Sequence, residues 1–514
     1  MYKLVNLSLI TATILFIGCG GGANSSSTSP QIRTDETNIT LYSDGNLSTI
    51  ENNLSTQNGN IGVKFKTPFA YNIGVEQNVC SDTSLLSPTI SDDAIYVSTA
   101  GDDTTGDGSS SNPYKSVAKA VSMLKEGGTV VIHGGTYVEP NEIRVRVPNV
   151  TITSYPNEWA VLDRTSSGGA DDWDSGIYLD VDSDGSTIRC LEVKGGFYAL
   201  STETKWDWNE SDKMGATNIT VTNVKLHESY ADAVKIKPNC DDFNISYSEI
   251  YNTGIGQNPN DCNAEGIDNV NADRTTASHL HIYNTCSTGI YFKGGSIGSV
   301  VEYSFIHDTG EAGILLGFDT SPEFFDKTVN PDMYEAIDAT AHHNLVKNTK
   351  YSGIGLYASK NSRVHHNTLI NTNYSNQHGM LYLGITYQDW DKDALRPSNI
   401  SPYIHNNILY ENGDHIYSYT PPENDLTMVA IRQSDEEQLG ELSALDGGMD
   451  IDYNCYYISS SIDFSDQRDD WRGDLSAWQT HINGDTHSKE SDPKFDVNSV
   501  AQSLECRYMG YAQK

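Results

Sequence analysis

Short apolar segments with the same polar ending recur along the chain from residue 249 onward. Each joins an apolar residue to an Asn/Asp-Thr-like ending, as in EIYNTG at residue 249, HIYNTC at 281 and FIHDTG at 305. Three further copies, LVKNTK, TLINTN and ILYENG, surround residues 346, 369 and 409. The central apolar positions are Ile250, Ile282, Ile306, Val346, Leu369 and Leu409. Their unequal spacing predicts a coil of roughly two dozen residues with loops inserted in some turns.

A second set of short segments follows these markers and predicts strands. AVKIK, GIDNV, GIYFK, GILLG and GIGLY each place apolar residues at alternate positions after a small residue. They are too short for helices, and a period of two is typical of a strand with one buried face. The hairpin signals that antiparallel propeller blades require are missing. The pattern therefore predicts an all-β solenoid of parallel strands.

Residues 94–139 have a different pattern, which predicts the start of the solenoid. AIYVS reads as a strand, a Gly/Asp-rich loop follows, and Asn112 and Pro113 open an amphipathic helix. One face of this helix carries Val117, Ala120, Val121 and Leu124, and GGTVVIHGGTYVE then returns to strand. This succession resembles the start of secreted right-handed parallel β-helices, in which a helix caps the first coil. We expect such a β-helix over residues 92–500 and a C-terminal tail over residues 501–514.

The N-terminus resembles a bacterial lipoprotein signal peptide. One lysine precedes an apolar run that ends in Phe16-Ile17-Gly18-Cys19, and this run is too short to span a membrane comfortably. An ordinary signal peptide or a short membrane anchor is the alternative interpretation. We predict a signal peptide over residues 1–19, lipid on Cys19, and a flexible tether or accessory region over residues 20–91. The protein is then expected as an exported monomer in the outer membrane, at the cell surface or in the periplasm, attached to the membrane only through this lipid.

Composition and charge narrow the possible partners. The 514 residues include 33 basic and 69 acidic residues, for a formal net charge of -36. Such a surface repels phosphate backbones, which argues against nucleic-acid binding. Besides Cys19 the chain has seven cysteines, and export favours disulfides, although seven cannot all pair.

Alignment of the predicted strands on their small-apolar step brings charged residues together. Val234, Ile267, Ile290, Ile314 and Ile354 form one inward ladder, and Ile236, Asn269, Phe292, Leu316 and Leu356 form a second. The outward positions of three successive coils then form one exposed strip: Asp232, Lys235, Lys237, Glu265, Asp268, Tyr291 and Lys293. Outward charges on a solenoid are often only solvated. Carboxylates packed side by side nevertheless repel each other unless a cation lies between them, which favours a functional interpretation.

The segments ADAVKIK, AEGID and GIYFKGG resemble the site of family 9 polysaccharide lyases, which are β-helices of the pectate-lyase type. This resemblance implies that Asp232, Glu265 and Asp268 bind Ca²⁺ and that Lys293 is the catalytic base. Ala264 stands where the family has one further Asp, and Tyr291 stands at the family's lysine position. The implied reaction is β-elimination from an acidic, uronic-acid polysaccharide.

The residue types suit that chemistry. Removal of the C5 proton leaves enolate-like charge, which a cation beside the uronate carboxylate stabilises. Calcium prefers hard oxygen ligands such as Asp232, Glu265 and Asp268. Lys293, or alternatively Tyr291, is the candidate base, with Tyr291 also a candidate acid, whereas Lys235 and Lys237 are candidate substrate-binding residues. Gly294 and Gly295 are expected to let a polymer approach the backbone closely.

Other functions fit parts of the pattern. A polygalacturonase-type hydrolase needs several Asp-, His- and Arg-bearing strands, for which the chain offers only a His-Gly at residue 378. A uronan C5-epimerase shares the proton removal, but its Asp-Pro-His-Asp signature is absent. A non-catalytic carbohydrate-binding or adhesive solenoid could use aromatic residues such as Trp206, Trp208 and Trp390 to stack on sugars. The pairs at residues 342–343 and 365–366 are expected to form histidine ladders between coils.

Overall fold

The structure is a computed structural model that describes residues 42–43, 46–47, 70–75, 80, 94–205, 214–386, 396–412, 426–434, 442–459 and 461–512. The expected signal peptide, and Trp206, Trp208 and Trp390, lie outside these residues. The chain forms two units, Met1–Asn58 and Gly59–Lys514. In the first unit, Tyr42–Ser43 pairs with Asn46–Leu47 as an antiparallel hairpin. All further description concerns the second unit.

Three long sheets wind through the second unit, and each coil contributes one strand to each sheet in turn. The first sheet contains Ile95–Val97, Thr129–Ile132, Thr151–Ser154, Thr187–Arg189, Thr220–Thr222, Asn244–Ser246, Thr276–Ser278, Val300–Glu302, Thr340–His342, Arg363–His365, Tyr403–His405 and Asp450–Asp452. The second contains Gly135–Val138, Ala160–Arg164, Leu191–Gly195, Lys225–His227, Glu249–Tyr251, His281–Tyr283, Phe305–Thr309, Leu345–Thr349, Thr368–Ile370, Ile408–Glu411, Cys455–Ile458 and Lys489–Glu490. The third contains Ile143–Val145, Ile177–Leu179, Leu200–Thr202, Val234–Ile236, Ile267–Val270, Ile290–Lys293, Ile314–Leu316, Ile354–Tyr357, Leu381–Gly384, Thr427–Ile431, Asp463–Asp466 and Trp471–Gly473.

Smaller elements complete the coils. A five-stranded sheet contains Ser296–Ile297, Ala336–Ile337, Ser359–Lys360, Asn399–Ile400 and Leu445–Asp446, and Gln433–Ser434 pairs with Leu442–Ser443. Among the residues that the structure describes, the helices are Val117–Ser122 and Leu475–His481, with 3-10 turns at Pro322–Phe324 and Gln467–Asp469. Strand pairing within the three long sheets is parallel, except that Trp471–Gly473 runs antiparallel to Asp463–Asp466. The predicted parallel solenoid is confirmed.

The inward ladders have the predicted register. Val234 pairs with Ile267, Ile267 with Ile290, and Ile290 with Ile314. The marker positions also stack in one column, beginning with Ile250 on Ile282. These side chains are buried, and full burial of such a side chain contributes about 1.5–3 kcal/mol. Repetition of this contribution on every coil holds the solenoid together.

Buried asparagine side chains inside the solenoid are hydrogen-bonded. Asn269, the polar member of the second ladder, donates to the Ala272 carbonyl at 3.0 Å and accepts from the Ala272 amide at 3.0 Å. Asn344, Asn367, Asn407 and Asn454 form a ladder in which each amide Nδ2 donates to the next Oδ1 at 3.1 Å. Because every rung supplies a partner for the next, burial of these amides carries no unpaired-group penalty.

A helix, three disulfides and the C-terminal residues add further contacts to the coils. Helix Val117–Ser122 begins four residues after Pro113. Its N-cap is Ser116, whose hydroxyl accepts from the Lys119 amide, and its buried face contacts the first strands. Disulfides join Cys80 to Cys190, Cys262 to Cys286 and Cys455 to Cys506, while Cys240 is free and buried. Tyr511 and Ala512 pack against the second sheet. None of the helices in the described ranges is long and apolar enough to cross a membrane.

The two histidine pairs form ladders, as expected. The ring of His342 stacks on His365 with centroids 5.1 Å apart, and His343 stacks on His366 at 5.0 Å. Burial lowers the pKa of His343 to about 4 and that of His365 to about 3. The neutral forms of His343 and His365 are therefore favoured, which suits stacking between coils.

Candidate active site

The outer face of the third sheet brings most of the candidate residues together. Lys235 pairs with Asp268 and Asp268 with Tyr291 in the strand register. Asp232 and Glu265 precede the aligned residues Val234 and Ile267 by two positions, so they lie side by side at the start of their strands. We call Asp232, Glu265 and Asp268 the acidic cluster; one carboxylate oxygen from each lies within 4.8 Å of the others.

The acidic cluster is buried and internally bonded. The backbone amide of Glu265 donates to Asp232 Oδ1 at 3.0 Å, and the Ser287 hydroxyl donates to Glu265 Oε1 at 2.8 Å. Burial, with the neighbouring carboxyl of Asp232, raises the pKa of Glu265 well above its usual range. Burial also opposes ionisation of Asp268, but Lys235 and Lys293 outweigh it and lower the pKa of Asp268. The pKa values of Glu265 and Asp268, three residues apart on one coil, are therefore shifted in opposite directions.

Two lysines approach Asp268 from opposite coils. Lys235 Nζ donates to Asp268 Oδ2 and lies 3.4 Å from Asp232 Oδ2, whereas Lys293 Nζ lies 3.5 Å from Asp268 Oδ1. Burial disfavours the ammonium form of Lys235, yet Asp268 and Asp232 outweigh it and raise its pKa well above the ordinary value. Lys235 is thus a fixed ammonium with two carboxylate partners, whereas Lys293 has one, Asp268.

The strip is not exposed, which corrects the expectation from strand alternation. All three carboxylates are at most 3% exposed, and Tyr291 is also 3% exposed. The side chains of Lys235 and Lys293 are 20% and 13% exposed. Alternation determines which residues point outward from a sheet, but the loops that flank the sheet determine whether an outward residue meets solvent.

Packing after Lys293 also differs from the expected open turn. The Gly294 amide donates to Glu335 Oε2 at 2.9 Å, and a Cβ at Gly294 would lie 3.1 Å from the Asn271 backbone nitrogen. Burial raises the pKa of Glu335 to about 7, and the fully buried Arg396 contacts this carboxylate at 3.0 Å. The glycines therefore allow tight packing at positive φ and do not open the backbone to a polymer.

Tyr291 lies inside the packed face. Its ring stacks on Phe318 with centroids 5.3 Å apart, and Lys293 Nζ lies 4.5 Å from the ring centre. Burial, followed by the charge of Glu265, raises the pKa of Tyr291 well above its ordinary value. The neutral phenol is therefore strongly favoured at this position.

Lys237 is directed away from the acidic cluster. Its Nζ lies 3.4 Å from Glu203 Oε1 and 3.3 Å from the Tyr178 hydroxyl. It stands in the same column as Lys293, but Val270 separates the two. Lys237 belongs to a neighbouring group with Tyr178 and Glu203, which the sequence argument did not include.

Tyr198 is a further residue of the site that the sequence argument missed. It precedes Leu200 by two positions, and Leu200 pairs with Val234, so Tyr198 lies one coil before Asp232 in the same column. Lys235 Nζ lies 6.0 Å from its ring centre. Burial raises the pKa of Tyr198 above its ordinary value. Extension of the strand alignment by one coil toward the N-terminus would have found this residue.

The acidic cluster fits a hard cation. Its donor set is three carboxylates, the oxygens lie close enough to share one ion, and Asp268 Oδ1 receives no hydrogen bond from the residues that the structure describes. Lys235 and Lys293 already offset part of the negative charge, so a divalent ion would share Asp268 with them.

Comparison with known proteins identifies the fold. Residues 208–387 match the family model of the right-handed β-helix region. The fold is a right-handed parallel β-helix. None of the curated proteins matches the chain.

Solved structures with a similar fold include several polysaccharide-degrading enzymes. Pectate lyase Pel9A is 15% identical, with a TM-score of 0.44 over 64% of this chain and 78% of that chain. Alginate lyase from Paenibacillus sp. str. FPU-7 is 15% identical, with a TM-score of 0.40 over 65% and 96%. Endo-xylogalacturonan hydrolase from Aspergillus tubingensis is 12% identical, with a TM-score of 0.43 over 72% and 91%. Similarity at this level says nothing about the reaction of this chain.

Proposed function

We propose that this protein is a polysaccharide lyase that cleaves an acidic, uronic-acid polysaccharide by β-elimination. The observation that carries the proposal is the unequal attachment of two lysines to one buried carboxylate. Lys235 is bonded to Asp268 and close to Asp232, whereas Lys293 makes a single contact of 3.5 Å with Asp268. Lys235 is thus held as a cation between two carboxylates, whereas Lys293 contacts one of them.

This difference assigns separate roles to the lysines. The Lys235 ammonium offsets negative charge where the uronate carboxylate would lie, which stabilises the enolate-like charge that forms after C5 loses its proton. Lys293 accepts that proton as the base. The C5–H electrons form the C4–C5 double bond, the C4–O bond breaks, and the leaving oxygen takes a proton from water. Tyr291 suits neither role as well, because it is buried and its neutral form is favoured.

Calcium is part of the proposal, with Asp232, Glu265 and Asp268 as its ligands. A bound Ca²⁺ would neutralise the uronate carboxylate and stabilise the developing charge. The role of the chain's own residues is to gather three carboxylates on adjacent coils and to exclude water from them. Glu265 must ionise to serve as a ligand, so its raised pKa makes metal affinity increase with pH.

The test is incubation of the purified protein with a panel of polyuronates, with ultraviolet detection of the C4–C5 unsaturated product. We expect product from at least one polymer, and its formation should be about two to four orders of magnitude slower with Lys293→Ala on the same polymer. Incorporation of solvent deuterium at C5 without chain cleavage would instead indicate an epimerase, which shares the proton removal. Binding without either reaction would indicate a carbohydrate-binding solenoid, the alternative that the exposed Trp173 favours.

A further inference from the structure

The outer face of the third sheet is closed on one side of the acidic cluster. Tyr291, on the same strand as Lys293, forms a buried apolar cluster with Leu315, Tyr357, Tyr382 and Ala430 of the following coils, and Phe318 packs against it. Since these outward positions are already covered, a sugar chain has no access to them. The remaining direction along the sheet leads to the earlier coils, where Tyr198 lies.

An exposed tryptophan stands on that open side. Trp173 is 68% exposed, and its ring stacks on Phe197 with centroids 4.5 Å apart and planes 25° apart. Phe197 is buried and meets Tyr198 edge to face at 4.8 Å, and Tyr198 lies 6.0 Å from Lys235 Nζ. We call Trp173 with Phe197 the Trp173 platform. A continuous series of contacts connects this fixed indole surface to the acidic cluster.

The charge around the platform selects against a uronate. The segment TSSGGADDWDS, residues 165–175, contains Asp171, Asp172 and Asp174 but no lysine or arginine. All three are exposed, and the fully buried Arg164 lies 3.7 Å from Asp174. A carboxylate-bearing sugar would be repelled here, whereas the hydroxyls of a neutral sugar can donate hydrogen bonds to these acceptors.

We propose that the Trp173 platform binds a neutral sugar residue, so that the substrate is a heteropolysaccharide in which neutral sugars accompany the uronic acid cleaved at the acidic cluster. This inference rests on the proposed lyase function and names its substrate class. The apolar face of the neutral ring stacks on the indole, and the Asp side chains bind its hydroxyls. The uronate occupies the cluster two to three coils away, beside Lys235 and Lys293.

The test compares a homopolyuronate with a polymer that alternates uronic acid and neutral sugar. Trp173→Ala should lower kcat/KM on the alternating polymer about tenfold, the stacking contribution, and should lower kcat/KM on the homopolymer by less. Asp171→Asn should raise kcat/KM on the homopolymer at low salt, and added salt should reduce the gain. Asp470→Asn, an exposed substitution on the last coil, is the matched control and should change neither value.

The outcomes separate this inference from the proposed function. A parent protein that releases no unsaturated product from either polymer refutes the lyase function and this inference with it. A parent that cleaves the homopolymer as readily as the alternating polymer refutes the inference alone. Equal losses on both polymers in Trp173→Ala, or no gain in Asp171→Asn, also overturn it, because the platform would then not discriminate between neutral and charged sugars.

Discussion

Replacement of Lys235 by methionine tests the charge balance of the site through stability. The substitution keeps the length and apolar stem of the side chain but removes the ammonium that contacts both Asp268 and Asp232. Both carboxylates are buried, and loss of one partner from a buried ion pair costs about 3–5 kcal/mol because the other charge stays uncompensated. Lys293 still contacts Asp268 at 3.5 Å, so we expect the lower end, about 3 kcal/mol, in urea unfolding at neutral pH.

The same substitution should change the pH at which the free energy of unfolding begins to fall under acidic conditions. In the parent, the lowered pKa of Asp268 contributes stability above the unfolded-state value, and this contribution is lost as pH falls through the folded-state pKa. Without Lys235 the folded-state pKa of Asp268 rises, so the acid loss should begin at a higher pH.

Lys237→Met is the control for this experiment. Its side chain is 27% exposed and pairs with Glu203 at 3.4 Å, which predicts a loss of at most about 1 kcal/mol. The reasoning is refuted if Lys235→Met lowers the free energy of unfolding no more than Lys237→Met does. It is also refuted if Lys235→Met and the parent lose stability at the same acidic pH.

Three further predictions concern the reaction and the metal. Lys293→Ala should lower kcat by about two to four orders of magnitude with KM largely kept, whereas Lys237→Ala should mainly raise KM; near-normal turnover in Lys293→Ala would contradict the base assignment. Tyr291→Phe should retain kcat within a few-fold because its phenol is buried and held neutral, and an inactive Tyr291→Phe beside an active Lys293→Ala would make the tyrosine the base. Added Ca²⁺ should raise the Tm of the parent but not of Asp268→Asn, and chelation should abolish turnover; equal Tm shifts in both proteins would place the ion elsewhere.

The sequence by itself determined the solenoid and the register of its strands. Each coil contacts only its neighbours, so the alternation around Ile267 and Ile290 specified which positions stack inside. The same local rule placed Lys235 beside Asp268 and Asp232 beside Glu265. Those neighbours could be predicted because parallel strands in register bring equivalent positions together.

The tertiary structure alone decided what surrounds those positions. Burial of the acidic cluster, the Glu203 partner of Lys237 and the packing of Gly294 all depend on side chains from loops between strands. Trp173 is connected to the acidic cluster through its stack on Phe197. These loops vary in length from coil to coil and carry no repeating pattern. Their paths follow from the packing of the whole chain, so strand periodicity could not predict them.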